Sequence, residues 1–146
     1  MPGIIVGVDG SGHSQRALEW AMKEAAMRHD ALTVLTVHQA VKGYFGTAVI
    51  NAEDTALTER AREAAQAEAD KVLAGLSEPR PDSVTVKAVH GFPVEELLAA
   101  GDDADMIVLG SRGTGGFNRL LLGSVASQVA QHAHCPVLIV PVGDSK

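Results

Sequence analysis

Five short apolar runs rich in β-branched residues, Ile4 to Val8, Leu32 to Val37, Val84 to Val89, Met106 to Leu109 and Val137 to Val142, are separated by stretches long enough to hold helices. A strand that is apolar along its whole length has both faces covered, and a helical crossover lets the next strand run parallel to the last. This alternation predicts an α/β domain, an open parallel sheet with helices on both faces.

Ile4 to Val8 ends in Asp9-Gly10-Ser11-Gly12, a turn sequence, and Ser14 is placed to cap the helix that follows. Ala17, Leu18, Ala21, Met22 and Ala25 form its inward stripe, with Trp20 beside them and an end near His29-Asp30. After Leu32 to Val37, the segment Gly43 to Asn51 has no clean period and reads as a mobile connection. A long helix is expected from Thr55 to Leu76, with Leu57, Ala61, Ala64, Ala65, Val72, Leu73 and Leu76 on its inner side. Pro79 and Pro81 mark the next loop, and the alternation in Val84 to Val89 suits a strand near a sheet edge. Pro93 fits the first turn of a short helix, Val94 to Ala100, which Glu95 and Glu96 favour through the helix dipole and Gly101 ends. Met106 to Leu109 reads as a central strand. The last helix spans Ser124 to Ala133 with Val125, Val129, Ala130 and Ala133 inward, and Pro141 puts the last strand at a sheet edge.

With 146 residues, 46% of them hydrophobic, the chain is expected to form one domain over residues 1–146. No apolar run approaches the roughly 18 residues of a membrane span. The N-terminus lacks a basic flank and a cleavage signature, so a cytoplasmic protein without a secretory signal is expected. Cys135 is the only cysteine, which excludes an intramolecular disulfide. A net charge of −6 and 3% aromatic residues oppose nucleic-acid binding. The acidic residues gather in Glu53 to Glu68 and at Asp102, Asp103 and Asp105, where solvated faces account for them.

The segment Gly110 to Ser124, GSRGTGGFNRLLLGS, follows the fourth strand directly and leads into a helix. Glycine lets backbone approach a phosphate and turns successive N–H groups inward, while Ser124 stands where a helix presents unpaired N–H groups. In open parallel sheets ligands bind beyond the carboxyl ends of the strands, where the strand order reverses, so the loops after strands one and four are expected to meet. The competing reading is a flexible loop with Ser124 as an ordinary cap. No GxxxxGK[ST] or GxGxxG stretch is present, which removes the P-loop and dinucleotide readings. Asp9 suits either a ligand contact or an Asx turn. Arg112 and Arg119 reach either phosphate or solvent, and His13 and His38 lie near the mouth without an assignment. Cys135 reads as a small core residue. His132, His134 and Cys135 match no zinc spacing, so no protein residue is assigned to a metal. No general base stands beside a nucleophile, so no catalytic residue is assigned and any hydrolysis is expected to be slow.

Four stretches together resemble the universal stress protein family, and its ATP-binding branch in particular, over nearly the whole chain. They are Val8-Asp9-Gly10-Ser11, Val89-His90-Gly91-Phe92-Pro93, Ala104 to Gly110, and the closing pattern of Gly110, Gly113, Gly123-Ser124 and His134 to Val140. The resemblance implies a Rossmann-like, adenine nucleotide alpha hydrolase-like sheet of order 3-2-1-4-5. It implies ATP as ligand, with Mg or Mn held mainly by the phosphates. Asp9 would contact base or ribose and Val37 would lie by the adenine. Gly110, Arg112, Gly113, Gly123, Ser124 and Val125 would surround ribose and phosphates, with Gly7, Val8 and Leu109 completing the wall. Ala126 departs from the Ser or Thr common in ATP-binding relatives, removing one hydroxyl. A homodimer through the last strand, Val137 to Val142, is also implied. The function that follows is nucleotide-dependent regulation in a stress response. The alternatives are a slow ATP hydrolase or adenylyl-transfer enzyme, a cyclic AMP or AMP sensor, and an interaction module that binds no nucleotide.

Overall fold

The structure is a computed structural model that describes residues 3–42, 48–49, 52–111 and 123–141. Strand β1 (Ile4–Val8) leads to helix α1 (Gly12–Arg28) and strand β2 (Ala31–Gln39). A two-stranded antiparallel ribbon, β3 (Val41–Lys42) with β4 (Ala48–Val49), precedes helix α2 (Ala52–Ala74). Strand β5 (Ser83–Gly91), helix α3 (Pro93–Ala100), strand β6 (Met106–Gly110), helix α4 (Ser124–His132) and strand β7 (Val137–Val140) complete the order. Five strands form one parallel sheet, β5-β2-β1-β6-β7. Counting only the sheet strands, this is the expected order 3-2-1-4-5.

Strand periodicity divides the core. Ile4, Val6 and Val8 point to one face, where Ala17, Leu18, Ala21, Met22 and Ala25 of α1 and Ala65 and Ala69 of α2 cover them. Ile5 points to the other, packed with Leu97 of α3 and Ala126 and Val129 of α4. Ala17, Ala21 and Ala25 are fully buried, and small contact residues let α1 approach the sheet closely. As expected, β5 and β7 are the two edges and β6 is buried through Met106 to Leu109. Among the described residues, no helix is long and apolar enough to cross a membrane.

Four details correct the sequence reading. Ser11, not Ser14, caps α1, because its Oγ accepts from the Ser14 N–H at 3.2 Å. The connection Gly43 to Asn51 contains β4, which pairs with Val41–Lys42; residues 43–47 and 50–51 lie outside the described residues. In α2, Leu57 is exposed, as is Ala64, while Ala65 and Ala69 are buried. The reason is angular: a helix advances about 100° per residue, so Leu57 lies about 80° away from Ala65 and Ala64 about 100° away. In α4 Ala126 and Val129 are buried and Val125 and Ala133 pack against them as expected, whereas Ala130 faces solvent.

Candidate functional site

Strand β1 lies between β2 and β6, and the chain leaves β1 for the face covered by α1 but leaves β6 toward α4 on the opposite face. In sheets of this kind such a reversal of direction is where a crevice is expected, beyond the carboxyl ends of the neighbouring strands. One wall is the turn after β1. The Asp9 carboxylate Oδ1 accepts hydrogen bonds from the Ser11 N–H at 3.0 Å and the Ser11 hydroxyl at 2.6 Å, an Asx turn at the rim of the sheet. Gly10 takes a φ of +83°, which a side chain would resist. Ser14, nearly buried, accepts from the Asp9 N–H at 3.1 Å and donates to the Ser11 carbonyl at 3.1 Å. The competing Asx reading of Asp9 is thus realised, and the same turn starts α1.

The second wall is the chain leaving β6. Gly110 lies so close to α1 that a Cβ there would stand 2.8 Å from the His13 carbonyl oxygen. Ser111 donates its N–H to the Val140 carbonyl at 3.0 Å, and its own carbonyl accepts from the Gly123 N–H at 2.7 Å. The two ends of the glycine-rich segment are therefore tied together at the sheet edge. Gly123 is the N-cap of α4 and offers no side chain to the first-turn N–H groups. Such a helix start, opening on a crevice, is chemically suited to an anion.

Asp9, Gly110, Gly123 and Ser124 are thus gathered at the switch point through His13 and Ser111. Ser124 is exposed, and its hydroxyl accepts from the Gln128 side chain at 3.0 Å. Val37 sits one residue past the register partner of Val8, half-buried at the β2 rim. Val8 and Leu109 are core residues beneath the rim, 6% and 5% exposed. A Cβ on Gly7 would press on Leu109 and Leu97, so its smallness serves packing. Val125 is half-buried against the α3–α4 cluster, and Ala126 is buried within it. Arg112 and Gly113, with Arg119, lie outside the described residues, as does Val142 at the end of the expected dimer strand. The Asp9-Gly10-Ser11 run after an apolar strand is the sequence signal for Ser11 as a residue that builds this wall, whereas nothing local marks the parts of Ser14 and Ser111.

Other features are structural. A cavity of about 360 Å³ lies between α1 and α2, lined by residues such as Glu19, Lys23, Lys71 and Leu76. Apart from Gln15 in the first turn of α1, its lining comes from the body of α1 and the end of α2, away from the carboxyl ends of the strands. Along α2, Glu59 hydrogen-bonds Arg62 at 2.9 Å, and that bond holds its carboxyl below the ordinary carboxylate value, as expected of a solvated ion-pair face. Burial pushes the Cys135 thiol above its ordinary value, with the nearby Asp102 and Asp105 charges acting in the same direction. A raised pKa means less thiolate, so Cys135 is expected to react more slowly than free cysteine with a thiol reagent at pH 8. A rate equal to that of free cysteine in a stopped-flow alkylation would contradict this environment.

A sequence profile described as the universal stress protein family matches residues 2–141. A universal stress protein of Mycobacterium bovis is 37% identical over 151 aligned residues, covering 95% of this chain and 48% of that protein. The chain thus spans about half the length of the first curated relatives it matches. Among solved structures, the universal stress protein UspA from Lactobacillus plantarum superposes with a TM-score of 0.75 at 26% identity, covering 95% of this chain and 97% of that one. A universal stress protein crystallised in complex with cAMP superposes with a TM-score of 0.68 at 27% identity, covering 96% of each chain.

Proposed function

The chain belongs to the universal stress protein family, and from that membership we propose that it binds an adenine nucleotide at the switch-point crevice and acts as a nucleotide-dependent regulator in a stress response. The observation that carries the reading is the joining of three elements at one point. The capped turn at Asp9, the close approach of Gly110 to α1 and the side-chain-free start of α4 surround the carboxyl ends of β1 and β6. Phosphate would lie against the N–H groups of Ser124 and its neighbours. The base would lie toward Val37. The ligand we favour is ATP, with Mg or Mn held mainly by its phosphates. The fit rests on backbone donors at a helix start, which suit a phosphate without needing a protein carboxylate. A second copy would pair along β7, an apolar edge strand that benefits from cover.

A second ligand, a cyclic nucleotide, is favoured by the related protein in complex with cAMP and by Ala126. Alanine at this position carries no hydroxyl for an added phosphate. Titration calorimetry with ATP, ADP, AMP and cyclic AMP tests both readings: one saturating site is expected, and no heat with any of them would end both.

Asp9→Asn separates the two roles of that residue. The amide keeps an oxygen acceptor for Ser11, so the turn and the melting temperature should hold, while loss of the negative charge should weaken nucleotide binding on the order of tenfold, the value of one charge-assisted hydrogen bond. Unchanged affinity in a variant of unchanged stability would leave Asp9 with the turn alone.

A further inference from the structure

We propose that His38, Asp54 and His90 form a binding site for one divalent transition-metal ion of the zinc class, separate from any ion held by nucleotide phosphates. His38 and His90 are register partners on the neighbouring parallel strands β2 and β5, so their side chains leave the sheet on the same side. Leu32 and Val34, and Val84 and Val86, share that side and pack in the core beneath α1 and α2. The apolar rows on two strands thus end in a pair of imidazoles where α2 begins. Asp54, in the first turn of α2, meets them: its Oδ1 is 3.0 Å from His38 Nε2 and its Oδ2 is 3.8 Å from His90 Nε2.

The three side chains offer ligand atoms that lie within 4.8 Å of one another. In a tetrahedral zinc site with bonds near 2.0–2.1 Å, ligand atoms stand about 3.3 Å apart, so small side-chain rotations close the set. The imidazole rings stack, with centroids 5.2 Å apart and planes 28° apart, which keeps both edges turned toward the same carboxylate. His90 Nδ1 is buried, so Nε2, the nitrogen that faces Asp54, is the one a ligand can reach. The side chains are 25%, 19% and 11% exposed for His38, Asp54 and His90, so the site is partly shielded yet reachable. Two imidazoles and one carboxylate suit Zn(II) or Co(II) and leave a coordination position for water. A bound ion would staple the start of α2 to the carboxyl ends of two strands, with β2 bearing Val37 at the crevice.

The test is titration of the untagged, nucleotide-free chain with Co(II), followed by visible absorption, and with Zn(II), followed by calorimetry. One equivalent is expected to bind, with Co(II) ligand-field bands and a higher melting temperature. His90→Gln and Asp54→Asn should each weaken binding at least about tenfold, the loss that disturbing even an outer partner of a metal ligand causes. His134→Ala, which removes the exposed pair of His134 with Asp102, should change nothing. Absence of saturable binding by the wild-type chain would overturn the proposal, leaving the cluster a hydrogen-bonded clasp. Full binding by a folded His38→Ala/His90→Ala variant, or loss on His134→Ala, would overturn it equally. Far-ultraviolet circular dichroism checks the fold of each variant.

Discussion

Replacing Gly110 with valine is expected to destabilise the domain by about 1–3 kcal/mol and to eliminate nucleotide binding. The first added atom would stand 2.8 Å from the His13 carbonyl oxygen and 3.1 Å from its carbon. Both are backbone atoms in the first turn of α1, so neither can swing aside as a side-chain tip would. Relief requires α1 to move off β6 at the turn where Asp9, Ser11 and Ser14 are hydrogen-bonded. At about 3 °C per kcal/mol, the melting temperature should fall by roughly 3–9 °C. Gly12→Ala is the matched control, because a Cβ there meets nothing within 4 Å and alanine favours a helix start over glycine. Scanning calorimetry and ATP titration on both variants decide the matter. If Gly110→Val behaves like Gly12→Ala in both, the close approach of the two walls is not what builds the crevice.

The frame of this fold is legible because each element is written locally. Ile4 to Val8 and Met106 to Leu109 are apolar throughout and prove to be inner strands, while Val84 to Val89 alternates and proves to be an edge. Details that depend on a few degrees or on a choice between equals are less legible. Ser11 and Ser14 both suit a cap, and only the path of the turn makes Ser11 the acceptor. Leu57 shares a four-residue spacing with Ala61 and Ala65, but that spacing drifts around the helix and carries it into solvent. The β3–β4 ribbon has two residues per strand, too few to show a period.

The candidate site divides the same way. Gly110 and Gly123-Ser124 stand out because glycine after a strand and serine at a helix start carry local meaning. Their binding together through Ser111 does not, since it depends on where the chain returns to the sheet. The cluster of His38, Asp54 and His90 is less legible still. Only the parallel register of β2 with β5 places the histidines side by side, and only the crossing of α2 brings the aspartate to them. No spacing rule for metal ligands covers three residues joined by strand order.

Shortening Ile107 to alanine is expected to cost about 2–5 kcal/mol, the range for truncating a fully buried branched side chain. Ile107 pairs with Ile5 and Val137 across the sheet, and its Cδ1 fills the space where a Cβ on Gly101 would stand. Gly101 closes α3 with a φ of −82°, open to any residue, so its small size is set chiefly by Ile107, with the Leu97 carbonyl oxygen 3.3 Å from the same point, and not by backbone conformation. Gly101→Ala alone should therefore overpack the contact and cost about 1–3 kcal/mol. Together the changes should compensate, because the new methyl enters the volume the isoleucine vacates. The double variant should be more stable than the sum of the single losses predicts by at least about 1 kcal/mol. Chemical denaturation of the four proteins in the cycle measures this coupling. Additive losses would mean that α3 and β6 do not meet through this pair. Nucleotide affinity in the double variant should stay near that of the wild type, because Ile107 lies at the start of β6 and the crevice opens beyond its other end.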